Sequence, residues 1–297
     1  MLTTDEAFRK FRSRLELTKG EQDNASSRQR EIRGLMNDVF KIQHDFLTGS
    51  YKRWTKTKPL KDVDIFCVLH DDERPKYRDG REPSILLKAV ERELAKSYDR
   101  VNMQRRSVQV EFPHAQDEDI VMSFDVVPAF TVGDPDEGGH YEIPDTATKS
   151  GWTETDPRKH AEQATAANAA YDGEWKGMVR MIKAWNSEYD KPVKPSFLLE
   201  VMAHDLLRPP FGGDFPYEFM MFFKSAADRV HEDWPEPAGL GPPVSDSMNT
   251  AARDAAREAL QRAHDAVRVA INLSRSGRNG DALREYRKLF GPRFPLT

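Results

Sequence analysis

Residues 49–69 read GSYKRWTKTKPLKDVDIFCVL, and the second half of this stretch decides the fold. The run Asp62-Val63-Asp64-Ile65-Phe66-Cys67 predicts a β-strand. Alternation puts Asp62, Asp64 and Phe66 on one face and Val63, Ile65 and Cys67 on the other. Two carboxylates on one face, about 7 Å apart, repel each other, and a divalent cation between them removes that cost. Mg²⁺ takes oxygen ligands, commonly one or two carboxylates together with substrate phosphates. Upstream, Gly49-Ser50 reads as a short strand and turn. Its glycine lets the backbone approach an anion closely, and its hydroxyl and N–H groups suit a terminal phosphate. A phosphate cradle followed by a metal-binding strand is what a nucleoside triphosphate requires.

Further along the chain, DIVMSFDVVPA (119–129) predicts the second arm of a hairpin whose first arm is Val108–Phe112. Alternation groups Val121, Ser123 and Asp125 against Met122, Phe124 and Val126. Asp125 is thus a carboxylate in an otherwise apolar strand, where an unpaired charge would be costly.

The string GSYKRWTKTKPLKDVDI, with Asp125 on a later strand, resembles the polymerase-beta-like nucleotidyltransferase superfamily. Within it, the string is closer to the bacterial cGAS/DncV-like cyclic-oligonucleotide synthases than to tRNA CCA-adding enzymes or toxin-associated transferases. The resemblance implies an α/β (α+β) architecture. It has a nucleotidyltransferase lobe with a mixed sheet over residues 1–155, a C-terminal helical lobe over 156–297, and a nucleotide cleft between them. It implies that Asp62, Asp64 and Asp125 hold two Mg²⁺ ions, for which Mn²⁺ can substitute. Gly49, Ser50, Lys183 and Ser196 would then cradle the phosphates, and Phe197 would stack on a base. Asn168 has both a donor and an acceptor in one amide, which suits a pyrimidine edge. On this reading UTP and ATP, with GTP or CTP, are joined into a cyclic di- or trinucleotide that a separate effector reads in antiphage (CBASS) defence.

The rest of the chain is consistent with that architecture. Helices are predicted over 3–17, with Thr4 as a cap, over Ser26 to Phe46 as a long spine, and from Pro83 to about Ser97. The acids Asp71, Asp72 and Glu73 read as a solvated loop. Residues 131–158 read as a surface segment with a short strand at His140–Ile143 and Trp152 as a hydrophobic plug. From Asp156-Pro157 onward the pattern is helical, to the end of the chain.

The chain has 297 residues, a formal net charge of −4 and one cysteine. These values give no general drive toward nucleic acid, so no DNA requirement is expected, and they exclude a disulfide framework or a cysteine-based zinc site. With no membrane-spanning run, a cytoplasmic monomer is expected. Two other readings share these residues: a transferase making linear oligonucleotides or modifying a tRNA or protein, and a catalytically silent nucleotide-binding module.

Overall fold

The structure, a computed structural model, describes residues 2–114, 117–133 and 139–297. Residues 134–138, part of the loop expected over 131–158, lie outside the described residues. The chain forms two compact units. A sheet unit holds residues 17–54 and 59–161, and a helical unit holds 1–16, 55–58 and 162–297.

In the sheet unit, α2 (Lys19–Val39) opens with a capping box. The Thr18 side chain accepts from the Glu21 N–H, and the Glu21 carboxylate accepts from the Thr18 N–H at 2.7 Å. The helix stops before Phe40, and residues expected to continue it form the strand β1 (Ile42–Thr48). This corrects the predicted spine from Ser26 to Phe46. The apolar residues of Ile42–Thr48 fit both periods locally, and pairing with β2 (Asp62–Leu69) decides for the strand. A one-turn helix, α3 (Gly49–Lys52), follows β1 directly. After β2 come α4 (Arg74–Tyr77), α5 (Pro83–Leu94), β3 (Val101–Met103), β4 (Val108–His114), β5 (Asp117–Val132), β6 (His140–Pro144) and β7 (Trp152–Thr155).

Among the described residues, seven strands form one sheet. Its path is β1-β2-β5-β4-β3, with β6 on β5 and β7 on β6. The sheet is mixed: β2 and β5 run parallel, and the other pairs are antiparallel. Strands β3 and β7 were not foreseen, being three and four residues long. One face of the sheet packs Val63, Ile65, Cys67, Phe124 and Val126 against Ile32 and Met36 of α2 and Leu86, Leu87 and Val90 of α5. Each such buried side chain contributes about 1.5–3 kcal/mol. Trp152 joins this core, as the plug reading expected. The opposite face carries a smaller cluster of Phe66, Val68, Val127, Ala129, Tyr141 and Ile143. Toward the start of β2 the same face becomes polar.

The helical unit consists of α1 (Thr4–Leu15), α6 (Pro157–Ala170, whose first turns lie in the sheet unit), α7 (Trp175–Glu188), α8 (Ser196–Leu206), α9 (Phe215–Arg229), α10 (Thr250–Arg275) and α11 (Asn279–Phe290). Helix α1 is capped by Thr3, not Thr4. It belongs here, and not with residues 17–155, because Ala7, Phe8, Phe11 and Leu15 are fully buried in the helical core. A linear boundary at 155 therefore divides the chain differently from the packing.

Candidate active site

The parallel register of β2 and β5 sets Asp62 beside Ser123 and Asp64 beside Asp125. Laterally paired residues in a parallel ladder share a face, and Asp62 lies two residues before Asp64, so all three carboxylates leave the sheet on one side. Neighbouring strands are about 4.8 Å apart, which brings Asp64 and Asp125 within reach of a common cation. Val63, Ile65, Phe124 and Val126 on the reverse face are fully buried and anchor both strands. Thus the acids stand on rigid elements, with the core directly behind them.

Adjacent strands supply the orienting contacts. The Ser123 hydroxyl lies 2.8 Å from the Lys61 carbonyl oxygen and 3.1 Å from Asp62 Oδ1, so its single proton can serve either acceptor. From β4, Gln109 Nε2 donates to Asp125 Oδ1 at 3.4 Å. Thr48, the last residue of β1, pairs with Asp64 and is buried. Gln109, Ser123 and Thr48 had no assigned role in the sequence reading. The signal available for them was register, and alternation alone does not reveal which strands are neighbours.

Gly49 follows Thr48 at φ +65°, and a Cβ built on it would lie 1.6 Å from Asp64 Oδ2. The Gly49 backbone therefore touches the carboxylate, and any side chain there would displace it. Ser50 is the next residue, in the single turn of α3. The structure thus gathers Gly49, Ser50, Asp62, Asp64 and Asp125 at one end of the sheet unit. Among the described residues, no group of three or more His, Cys, Asp or Glu side chains is placed so that it could hold a metal ion. The donor set itself fits a hard divalent cation, being all carboxylate oxygen, on one face, from two adjacent strands.

The remaining predicted residues lie in the helical unit. Lys183 of α7 is 7% exposed, and its Nζ donates to Glu200 Oε1 of α8 at 2.7 Å. Glu200 is 3% exposed and also accepts from the Thr55 hydroxyl at 2.9 Å. Glu200 was missed, although a single acid in the apolar run SFLLEVMA was a visible signal. Ser196 is the exposed first residue of α8, and Phe197 after it is half-buried. Asn168 makes a structural contact that the sequence did not show. Its Oδ1 accepts the Lys176 N–H at 3.0 Å and so caps the start of α7.

A family profile described as the Second Messenger Oligonucleotide or Dinucleotide Synthetase domain matches residues 1–168, more than half of the chain. Among curated proteins, a probable cyclic nucleotide synthase of Bacillus cereus is 26% identical over 277 residues, covering 83% of this chain and 81% of the relative. A cyclic AMP-AMP-AMP synthase of an Acinetobacter species is 24% identical over 321 residues, covering 100% and 87%. Among solved structures, the Vibrio cholerae DncV cyclic AMP-GMP synthase superposes with a TM-score of 0.74 at 14% identity, covering 95% of this chain and 93% of that one. With the mixed sheet and helical unit described above, these likenesses identify an enzyme, a nucleotidyltransferase that makes cyclic oligonucleotides, and the chain belongs to the bacterial cGAS/DncV-like nucleotidyltransferases of the polymerase-beta-like superfamily.

Proposed function

We propose that the enzyme is a Mg²⁺-dependent synthase that joins two or three nucleoside triphosphates into a ring and releases pyrophosphate. ATP and UTP are its first candidate substrates, with GTP or CTP as further ones. The product would be read by a separate effector in antiphage defence. The observation that carries this reading is the lateral pairing of Asp64 with Asp125, with Asp62 on the same face and Gly49 pressed against Asp64. The Acinetobacter relative is named for an all-adenylate product, which supports ATP and a ring of three.

Asp62 and Asp64 would hold two Mg²⁺ ions, or Mn²⁺ in their place, and Asp125 the one nearer the acceptor. When bound, such a pair lowers the pKa of an acceptor hydroxyl and offsets the charge that develops on the α-phosphate. Ser123 and Gln109 keep the Asp62 and Asp125 oxygens aimed, so less reorganisation is needed when substrate arrives. Gly49 and Ser50 would receive the terminal phosphates through the backbone N–H groups and the hydroxyl. From the helical unit, Lys183 and Ser196 are assigned to the triphosphate and Phe197 to a base. An ammonium has three donors, so Lys183 can bond Glu200 and a phosphate oxygen together. Among the described residues no helix is long and apolar enough to cross a membrane, and burial pushes the lone Cys67 thiol up to about 12, which keeps it protonated and unreactive. A cytoplasmic enzyme suits both features, and a monomer is the assembly proposed with it.

The test is incubation of the purified protein with Mg²⁺ and each labelled triphosphate, singly and in pairs, followed by mass spectrometry and phosphatase treatment. A phosphatase-resistant cyclic product is expected, because a ring has no terminal phosphate. A phosphatase-sensitive product would instead identify a linear-oligonucleotide transferase. Neither product nor pyrophosphate from any pair would leave a silent nucleotide-binding module.

A further inference from the structure

One lateral row of the sheet runs along the whole path β1-β2-β5-β4-β3. It reads Thr48, Asp64, Asp125, Gln109 and Asn102. Paired residues share a face, so the row continues past the carboxylates onto β4 and β3. On the reverse face Val108 and Val110 are fully buried, and Val101 packs against the same core. Alternation therefore puts Gln109, Glu111 and Asn102 on the carboxylate side. Glu111 pairs with Ser123, which itself pairs with Asp62. That makes Glu111 the diagonal neighbour of Asp125, about 7–8 Å away.

These groups differ in what the fold asks of them. Gln109 is committed to Asp125 through its Nε2. Asn102 is exposed and Glu111 is half-buried, and neither side chain makes a hydrogen bond or ion pair among the described residues. Solvated polar side chains on a strand are common, and what sets these two apart is where they lie along the axis of the reaction. In an in-line displacement the attacking oxygen enters opposite the leaving group. Pyrophosphate leaves toward Gly49 and Ser50, which follow Thr48 at the β1 end of the row. The attacking nucleotide therefore enters from the β4 and β3 end. Strands are about 4.8 Å apart, so a nucleoside with its hydroxyl at Asp125 carries its base over Gln109, Glu111 and Asn102.

We propose that Glu111 and Asn102 read the base of the acceptor nucleotide, and that Glu111 selects a base with an exocyclic amino group. This inference rests on the carboxylate site proposed above. An ionised carboxylate only accepts hydrogen bonds. Adenine, guanine and cytosine each present an amino group on the pairing edge, whereas uracil presents two carbonyl oxygens around one N–H. Those oxygens meet the Glu111 carboxylate as acceptor against acceptor. The Asn102 amide supplies the complementary donor, for a ring nitrogen or carbonyl beside the amino group. Uridine is thereby confined to the donor role.

The test isolates the acceptor. A 2′,3′-dideoxy triphosphate has no hydroxyl to attack with, so it serves only as donor. Mixed with ATP, GTP, CTP or UTP it gives a linear product of a single transfer, read by mass spectrometry. Each dideoxy donor is tried with the parent enzyme and the most productive is kept. The best amino-bearing acceptor should exceed UTP about tenfold in kcat/KM, the low end for a hydrogen bond to a half-exposed charge. Glu111→Ala should lower kcat/KM for that acceptor about tenfold, through KM, and leave UTP unchanged. Asn102→Ala should lower it about threefold. In both variants the KM of the dideoxy donor should stay at the parental value, which a general disturbance of the sheet would not allow. Equal use of UTP by the parent would overturn the proposal. So would an unaltered base preference in Glu111→Ala, or an equal loss on donor and acceptor. A parent enzyme that makes no product with any donor would overturn the carboxylate site and this inference with it. A productive parent with unresponsive variants would overturn this inference alone.

Discussion

Single atoms carry the site proposed at the start of β2. Asp62→Asn, Asp64→Asn and Asp125→Asn each keep shape and remove charge, so each should lower turnover at least about tenfold, a loss of about 1.4 kcal/mol in transition-state stabilisation. The fold should stay intact or gain stability, because like charges on one face repel when no cation is bound. Pyrophosphate release and thermal melting read the two effects separately. Any variant above a tenth of the parental rate would remove that residue from the site. Gly49→Ala should be worse than Ser50→Ala in both assays. Its Cβ would occupy the space of Asp64 Oδ2, and φ +65° adds about 1 kcal/mol of strain for any non-glycine residue. The placement of the three aspartates and Gly49 together could be anticipated from the sequence because they break local rules: acids in apolar strands and a glycine before a basic connector. Ser123, Gln109 and Glu200 were not, because a polar residue on a half-exposed strand or helix breaks no rule until its neighbour across the fold is known.

Elements were legible where one period dominated and misread where two competed. The interiors of α5, α7, α8 and α10 follow their apolar spacing, and β2 and β5 follow strict alternation. The region 40–48 carries both patterns, and a ladder with β2 that no local window contains resolves it. Caps show the same limit, as Asn168 illustrates. Asn168→Ala should cost the helical unit about 1 kcal/mol, Asn168→Asp should retain most of the cap, and neither should alter which triphosphates are used. A shift of products toward purines in Asn168→Ser would return the residue to base recognition.

The loop from β6 to β7 gives a pH-dependent case. Asp145 is fully buried, and burial alone would raise its pKa. The bonds from Arg105 at 2.6 and 2.8 Å, the Ala147 N–H and Arg106 outweigh burial and hold the carboxyl well below its usual 3.8. A carboxyl depressed in the folded state contributes stability above its unfolded pKa and loses it as pH falls through the folded one. Unfolding free energy measured by urea titration should therefore decline below about pH 4. Asp145→Asn should flatten that decline while lowering stability at neutral pH, by the low end of roughly 3–5 kcal/mol since both arginines remain partly solvated.

At the scale of the whole molecule, the chain is not threaded in the order of its units. It begins in the helical unit, enters the sheet unit at residue 17, returns for residues 55–58, and leaves the sheet unit for good at residue 162. What draws the first sixteen residues away from their sequence neighbours is aromatic packing. Phe8 meets Phe215, Phe219, Tyr286, Phe290 and Phe294 at centroid distances of 4.9–5.8 Å, and Phe11 meets Phe290 and Phe294. Arg14 donates to the Arg293 carbonyl oxygen at 3.0 Å, and Arg180 of α7 pairs with Glu16 at 2.7 Å. A terminal helix bound only by local preference would fray, whereas this one packs into a core whose aromatic partners for Phe8 and Phe11 lie more than 200 residues away in sequence. Phe8→Ala should therefore destabilise the helical unit by about 3–5 kcal/mol, the usual cost of a phenylalanine-sized cavity. Deleting residues 2–16 should expose the segments around α9 and α11 to protease while leaving the sheet unit protected. Hydrogen exchange resolved by segment provides the check. Loss of protection in β2 and β5 before α9 and α11 would place α1 with the sheet unit, and the core assignment would fail.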